Sequence, residues 1–426
     1  MLKFNSAILD KELLKSVIFD QQSLSWDEGN VKRIIPSAMD EGEEITVISG
    51  VRRCGKSTLL HQIRSGRMEH DYYLNLDDER LVNFQIHDFQ LLYETFIELF
   101  GLQKTFYFDE IQNVSGWERF VRRLHDHGNK VFVTGSNATM LSRELGTHLT
   151  GRYSKIELYP FSFTEFLQFN QKTLKPGDIS STRGRSELKR FFSEYLVNGG
   201  FPAYLKNRSE VYLKSLYESI LYRDVMVRNK LTNERELLEL VNYLASNVSR
   251  LASYNSLAKI AGVKNATTIK NYLGFLQNTY VLFQVNKFDY ALKKQLHNSK
   301  KIYFIDNALA GRLGFNFSNE QGRMLENLVF LELQRRGHEV FYHSHRHECD
   351  FIIRDGTRIT VAIQVCFTLD SAETREREIR GLMDAMQQYD LKDGFIITSD
   401  AEEVIEMNDR TIHILPAWKW TLEKSV

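Results

Sequence analysis

The chain has 426 residues, 42% of them hydrophobic, with 55 Lys+Arg against 55 Asp+Glu. That length exceeds what one core fills, so two to four domains are expected. A net charge of zero excludes capture of polyanions by bulk charge, and any nucleic-acid contact needs a local basic patch.

The first segment, MLKFNSAILDKELLKSVIFD, is amphipathic and carries Asp and Glu, without the apolar run of a secretory leader. No stretch of about 18 apolar residues occurs, so no membrane partner is expected. Three cysteines without framework spacing point to a reducing compartment, and cytoplasmic placement is the expectation.

From about Glu44 to Pro160 short apolar runs alternate with helical stretches. The runs ITVIS, YYLNL, TFYFDE, KVFVTGS and SKIELYP are nearly continuous in apolar residues, as strands buried on both faces of a parallel sheet require. Amphipathic segments such as GWERFVRRLHDHG lie between them, so an α/β parallel-sheet core with an N-terminal helical segment is expected over residues 1–160. Over 161–233 the pattern turns helical; Gly199 and Gly200 end one helix and Pro202 stops its continuation. Over 234–315, ELLELVNYLASNV, SLAKIAGV and NATTIKNYLGFLQNT predict three short helices, and YVLFQV and KKIYFID predict two strands. That order is the order of a winged helix-turn-helix. Over 316–426 a helix, three strands, the helix ETREREIRGLMDAMQQY and two further strands predict a second, small α/β domain.

Gly50-Val51-Arg52-Arg53-Cys54-Gly55-Lys56-Ser57 fits the P-loop pattern G-x-x-x-x-G-K-[ST] (Walker A), between a strand and a helix. Chance places that pattern in about one or two chains per hundred of this length. Glycines let backbone N–H groups close around phosphate oxygens, and the following helix aims its positive end at them. Lys56 would neutralise the terminal phosphates of ATP, and Ser57 would ligate Mg²⁺. Gly50, Cys54, Gly55, Lys56, Ser57 and Thr58 form the expected nucleotide-binding set. TFYFDE then ends in Asp109 and Glu110, the Walker B form. Asp109 would hold Mg²⁺, and Glu110 would position or deprotonate the attacking water. At the end of KVFVTGSN, Ser136 and Asn137 stand where a polar group reaches the γ-phosphate or that water. Arg152, in LTGRY, has two readings: an arginine finger for a neighbouring subunit, or a salt bridge at a strand edge.

The loop holds phosphate with its backbone, so Arg52 and Arg53 need not touch the nucleotide. Arg52 is read as reporting nucleotide state across a subunit interface, and Arg53 as pairing with Asp77 or Asp78. Cys54 lies near a helix N-terminus, so a lowered thiol pKa is expected, with alkylation in the absence of ATP.

GVRRCGKSTLL, FYFDEIQNVSGWERFVRRL, VTGSNATML, LTGRYSKIELYPFSFTEFL, GGFPAYL and YRDVMVR, in that order, together resemble the prokaryotic AAA-type ATPases with an archaeal-ATPase-like core and a C-terminal domain of unknown function. The resemblance spans nearly the whole chain. It implies a P-loop NTPase core, a helical lid, a winged helix and a restriction-endonuclease-like tail. It further implies that Pro202 is the lid proline that touches adenine, where the bare residues read only as a helix stop.

In the expected winged helix, Lys264 and Lys270 face outward from the helical pair. Lys293, Lys294, Lys300 and Lys301 are placed at a ribbon tip, where they would contact DNA phosphates independently of sequence. The other reading is a protein-docking module with a solvated hairpin.

A restriction-endonuclease-like site needs a helix acid, a strand-end Asp and an acid-x-Lys on the next strand. Glu326 and Asp350 match the first two positions, but the third reads Gln364-Val365-Cys366. Cys366 supplies no ammonium, and only Arg375 or Arg377 is at hand to replace it. This domain is therefore expected to be degenerate as a nuclease. HSHRHEC offers His343, His345, His347 and Cys349, but same-face strand residues lie about 6.6 Å apart, too far for four to share one zinc.

The expected protein is an ATP- and Mg²⁺-dependent AAA-type ATPase of slow turnover, alone or as a homo-oligomer or with a partner protein, and with DNA as a possible partner through the winged helix. The alternatives are a nucleotide-dependent switch or scaffold and a DNA-processing enzyme with a live nuclease tail.

Overall fold

The computed structural model describes residues 9–23, 31–34, 42–67, 72–137, 149–314 and 320–423. The chain divides into two compact units, Met1–Leu158 and Tyr159–Val426.

In the first unit α1 (Lys11–Ser23) precedes β1 (Ile45–Gly50), α2 (Lys56–Ser65), β2 (Tyr72–Asn75), α3 (Asp88–Phe100), β3 (Thr105–Asp109), α4 (Trp117–Asp126), β4 (Lys130–Gly135) and β5 (Tyr153–Leu158). The strands form one sheet in the order β2-β3-β4-β1-β5, every neighbouring pair parallel. Every residue of β1 and β3 is buried, so their near-continuous apolar runs follow from cover on both faces. In α4, Trp117, Phe120, Val121 and Leu124 recur at helical spacing and face the core, leaving Arg119, Arg122 and Arg123 outside. In a parallel sheet all strands end at one edge, which brings the ends of β1, β3 and β4 together.

The second unit begins with helices α5 (Phe163–Phe169), α6 (Thr182–Asn198), α7 (Pro202–Asn207) and α8 (Glu210–Ser219), which runs on as a π-helix over Ile220–Val227. Next come α9 (Glu234–Ser246), β6 (Leu251–Ala252), α10 (Tyr254–Ile260), α11 (Ala266–Asn278), β7 (Leu282–Asn286), α12 (Leu292–His297), β8 (Lys300–Phe304) and α13 (Asn307–Leu313). β6, β8 and β7 make an antiparallel sheet in that order. The last stretch contains α14 (Gln321–Arg335), β9 (Glu339–Ser344), β10 (Glu348–Asp355), β11 (Arg358–Val365), α15 (Ala372–Gln388), β12 (Asp393–Thr398), β13 (Glu403–Met407), β14 (Arg410–Pro416) and α16 (Ala417–Trp420). Its strands form a mixed six-stranded sheet, β13-β14-β12-β11-β10-β9. Leu382, Ala385 and Met386 of α15 pack with Ile352, Ala362, Ile396, Ile412 and Ile414 in its core.

The Gly199-Gly200 turn has a local cause. Gly199 has φ +62°, and a Cβ there would lie 2.1 Å from Asp306 Oδ2. The Gly200 amide donates to Asp306 Oδ2 at 2.7 Å, and the Gly200 carbonyl accepts from Phe161 N at 2.8 Å. Asp306 also caps α13 through Ala308 N and Leu309 N. Pro202 takes the first turn of α7, where its missing N–H costs nothing.

Lys300 and Lys301, expected on an exposed ribbon tip, are instead buried residues of β8, 4% and 3% exposed. The tip is formed earlier, by α12, which carries the exposed Lys293 and Lys294. Lys300 Nζ turns back to donate to Gln295 O and Leu296 O, at 2.5 and 3.3 Å, neutralising the end of α12. Among the described residues no helix is long and apolar enough to cross a membrane.

Candidate nucleotide site and a second carboxylate cluster

The loop between β1 and α2 is shaped by close approach. A Cβ on Gly50 would lie 2.1 Å from the carbonyl oxygen of Leu158 in β5, so only glycine fits. Arg53 and Gly55 take positive φ, 66° and 100°, which turn the chain into α2. Gly55 caps α2 without any side-chain acceptor, so the first-turn N–H groups face the loop as phosphate donors.

Lys56 is 4% exposed; its Nζ donates to Val51 O at 3.3 Å and lies 3.5 Å from Glu110 Oε1. Burial opposes its charge, but Glu110, Cys54 and Asp109 outweigh burial and raise its pKa above the ordinary lysine value. Glu110 takes a left-handed backbone, φ 50°, and its amide donates to Thr134 Oγ1 at 3.0 Å. Burial raises the Glu110 pKa; Lys56, a hydrogen bond from Gln112 Nε2 and the charge of Arg52 pull it below the usual carboxylate range. Asp109 accepts hydrogen bonds from the Ser57 and Thr134 hydroxyls. Burial and then Glu110 push its pKa up to about 6. Ser57 and Asp109 therefore present oxygens side by side, the donor set a Mg²⁺ ion takes. Ser136 and Asn137, at the end of β4, are buried, and Ser136 Oγ accepts from Gln112 Nε2 at 3.4 Å. Gln112 Oε1 is buried and finds no hydrogen-bond partner among the described residues.

One expectation changes. Cys54 is fully buried, its Sγ donating to Leu158 O at 3.4 Å, and burial raises its pKa. The thiol points back into β5, not toward the phosphate position, so neither a lowered pKa nor ready alkylation follows. The charge of Arg52 contributes to lowering the Glu110 pKa. Arg152 Nε pairs with Asp126 Oδ1 at 3.1 Å, and Arg152 O accepts from Ile45 N. Ile45 opens β1 and the loop closes it, so Arg152 stands at the far end of the strand, roughly 17 Å away at strand rise. Asp78, one partner weighed for Arg53, is engaged by Arg80 and Gln21.

Residues 42–167 match the family model of an AAA domain, and residues 189–321 match a domain of unknown function. An uncharacterized protein of Methanocaldococcus jannaschii is 35% identical over 99% of this chain and 98% of its own length. An uncharacterized protein of Haemophilus influenzae is 34% identical, over 76% of this chain and 83% of its own. The chain belongs to this AAA-domain family. Among solved structures, the Thermotoga maritima RuvB Holliday junction branch migration motor is 15% identical with a TM-score of 0.25, covering 57% of this chain and 82% of its own. AMPPCP-bound DnaA from Aquifex aeolicus is 15% identical with a TM-score of 0.22, over 56% and 83%. At these scores neither carries an argument.

The AAA-domain protein has a second cluster, in its other unit. Glu326 of α14 and Asp350 of β10 converge, and Lys301 of β8 lies between them. Lys301 Nζ is 2.8 Å from Asp350 Oδ1, 2.8 Å from Glu348 Oε1 and 3.2 Å from Glu326 Oε1. Tyr303, two residues on along β8, donates to Glu326 Oε1 at 2.7 Å. Burial and then Asp350 push the Glu326 pKa up to about 7; Lys301, Tyr303 and Ser249 act against the rise. Gln364 turns away: its Nε2 donates to Glu378 Oε2 at 2.6 Å, and its Oε1 accepts from Asp350 N. Arg377 is held by Glu378 and Arg375 by Glu403, so neither stands in for the absent lysine. Sequence reasoning missed Lys301, Tyr303, Glu348 and Glu378. The alternation that puts Lys301 and Tyr303 on one face of β8 was the available signal.

His343 and Cys349 oppose each other across β9 and β10; His343 bonds Asp384 and Tyr389, both at 3.0 Å, while Cys349 is fully buried. Among the described residues no group of three or more His, Cys, Asp or Glu is arranged to hold a metal ion.

Proposed function

We propose that this AAA-domain protein binds ATP at the loop before α2 and hydrolyses it slowly, with Glu110 positioning the attacking water. The observation that supports this most is the approach of Lys56 and Glu110 at the mouth of the loop, 3.5 Å apart. A cation for the terminal phosphates and a base for water lie side by side, which attack on the γ-phosphoryl group needs. Ser57 and Asp109 would hold Mg²⁺, which when bound withdraws charge from the phosphate oxygens. Asn137 is proposed to orient the γ-phosphate or the water. Lys56 and Gln112 both hold Glu110, so nucleotide must draw Lys56 away before Glu110 acts as a base. That restraint fits slow turnover, and it also supports a second reading, a nucleotide-dependent switch or scaffold. Phosphate release and ATP binding by wild type and Glu110→Gln test both. Equal release rates remove the catalytic assignment, and tight binding with no release by wild type favours the switch.

The domain plan we propose is a core over 1–160, a lid over 161–233 with Pro202 toward adenine, a winged helix over 234–315 and a restriction-endonuclease-like domain over 316–426. The order α9-β6-α10-α11-β7-α12-β8 supports the third, and α14 followed by a mixed sheet carrying α15 supports the fourth. DNA contact then falls to Lys264, Lys270, Lys293 and Lys294, which are exposed, without Lys300 or Lys301. DNA stimulation of turnover that fades as salt rises is the expected sign. Assembly with further copies or a partner belongs to the same proposal and is measured as ATP-dependent change in mass.

A further inference from the structure

Glu326, Asp350 and Gln364 sit where a metal-dependent phosphodiester site would be built, yet a cation already fills the place where the carboxylates meet. Lys301 is 3% exposed, and its ammonium has three carboxylate oxygens within 2.8–3.2 Å, from α14 and from two positions of β10. Hydrogen bonds to Glu326 and Asp350 use two of its three N–H donors, and Glu348 lies within ion-pair distance. A divalent ion needs oxygens at about 2.0–2.6 Å around the same point, and it cannot share that point with a fixed positive charge. Other donors also hold the carboxylates: Asp350 Oδ2 accepts from Val365 N at 2.9 Å, and Glu326 Oε1 accepts from Tyr303 as well as from Lys301. Lys301 and Tyr303 both come from β8, which belongs to the three-stranded sheet, whereas the acids belong to α14 and β10.

We infer that Lys301 is the resident cation of this carboxylate site, closing it to divalent metal and fastening the three-stranded sheet to α14 and the C-terminal sheet. The inference does not depend on ATP hydrolysis. It accounts for Gln364, because an amide suffices where no metal is ligated. Lys301 replaces the metal's charge rather than the missing catalytic lysine, since its buried nitrogen is held between Glu326 and Asp350.

The test uses the full-length protein and Mn²⁺, counting bound ions by the loss of the free-ion EPR signal. Wild type, Lys301→Met and Lys301→Met with Asp350→Asn are compared, which subtracts any Mn²⁺ held at the nucleotide site. Lys301→Met is expected to gain one Mn²⁺ that needs Asp350, bound at least about tenfold more tightly than in wild type, since a like charge at this distance costs that much or more. Its melting midpoint should rise with Mn²⁺ while that of wild type stays put. An Asp350-dependent Mn²⁺ already present in wild type overturns the inference, as does a folded Lys301→Met that gains none. Where Lys301→Met folds poorly, Lys301→Met with Glu326→Gln should fold better, because the surplus negative charge is relieved. No rescue by either Mn²⁺ or that second change also overturns it, since the site would then need the lysine stem and not its charge.

Discussion

The protein contains two buried lysines among carboxylates, and they are used in opposite ways. Lys56 meets one carboxylate, Glu110, at 3.5 Å, and lies at the head of a helix whose first amides have no side-chain acceptor. Lys301 meets three carboxylates at 2.8–3.2 Å. The first site is an unfinished ion pair that an incoming anion completes; the second is finished within the chain. The difference comes from how many acids the fold brings to the ammonium, not from the lysine. One loose partner leaves a binding site, and three close ones leave a fastening.

The most direct way to break this comparison is to remove each lysine and measure nucleotide. Lys56→Ala should weaken ATP binding by about 100-fold or more, since the phosphate charge is left uncompensated in a buried loop. Lys301→Met should leave ATP affinity within about twofold, and a large loss there would join two sites that we treat as separate. Glu110→Gln should cut phosphate release by about 100-fold while binding persists, the scale of a positioned base.

Stability should invert the order. Lys301→Met leaves buried acids unpaired and should cost about 3–5 kcal/mol in denaturant melts without metal. Lys56→Met should cost much less, because its nearest carboxylate among the described residues, Glu110, lies 3.5 Å away and Asp109 acts only from a greater distance. Equal losses would show that the two pairs are energetically alike.

A pH series sharpens the structural side. Burial pushes the Asp306 pKa from 3.8 to about 6 against the pull of its backbone donors. The folded state thus holds this proton after the unfolded chain has released it. Stability from this group is therefore highest below about pH 4 and falls as pH rises to about 6. Asp306→Asn should flatten that fall and cost about 1–2 kcal/mol through the lost bond from Gly200. A slope that survives the substitution assigns it to other acids, Glu326 and Asp109 first. The smallest expected effect is at Arg152: Arg152→Ala should leave turnover unchanged, and a large loss would decide for the finger reading in a neighbour's site.

The nucleotide loop was legible because its chemistry is contiguous. Gly50 to Ser57 lie in one run, and the backbone they need is local. The parallel core was legible too, since strands covered on both faces must be apolar throughout. The sealed site was not legible, because its members come from β8, α14 and β10, and the alternation that pairs Lys301 with Tyr303 does not say which face is buried. Two adjacent lysines after a polar turn read as a solvated tip; only pairing with β6 and β7 turns them inward. Cys54 misled for a related reason. Its place before a helix suggested an activated thiol, but the approach of β5 decides where the sulfur points.

That approach has a mechanical consequence. The carbonyl of Leu158 touches the loop twice, through the crowding at Gly50 and through the thiol of Cys54. Leu158 is also the last residue of the first unit. The peptide that shapes the loop is thus the one at which the chain passes into the second unit. A substitution that moved this carbonyl would reach the loop without touching its sequence.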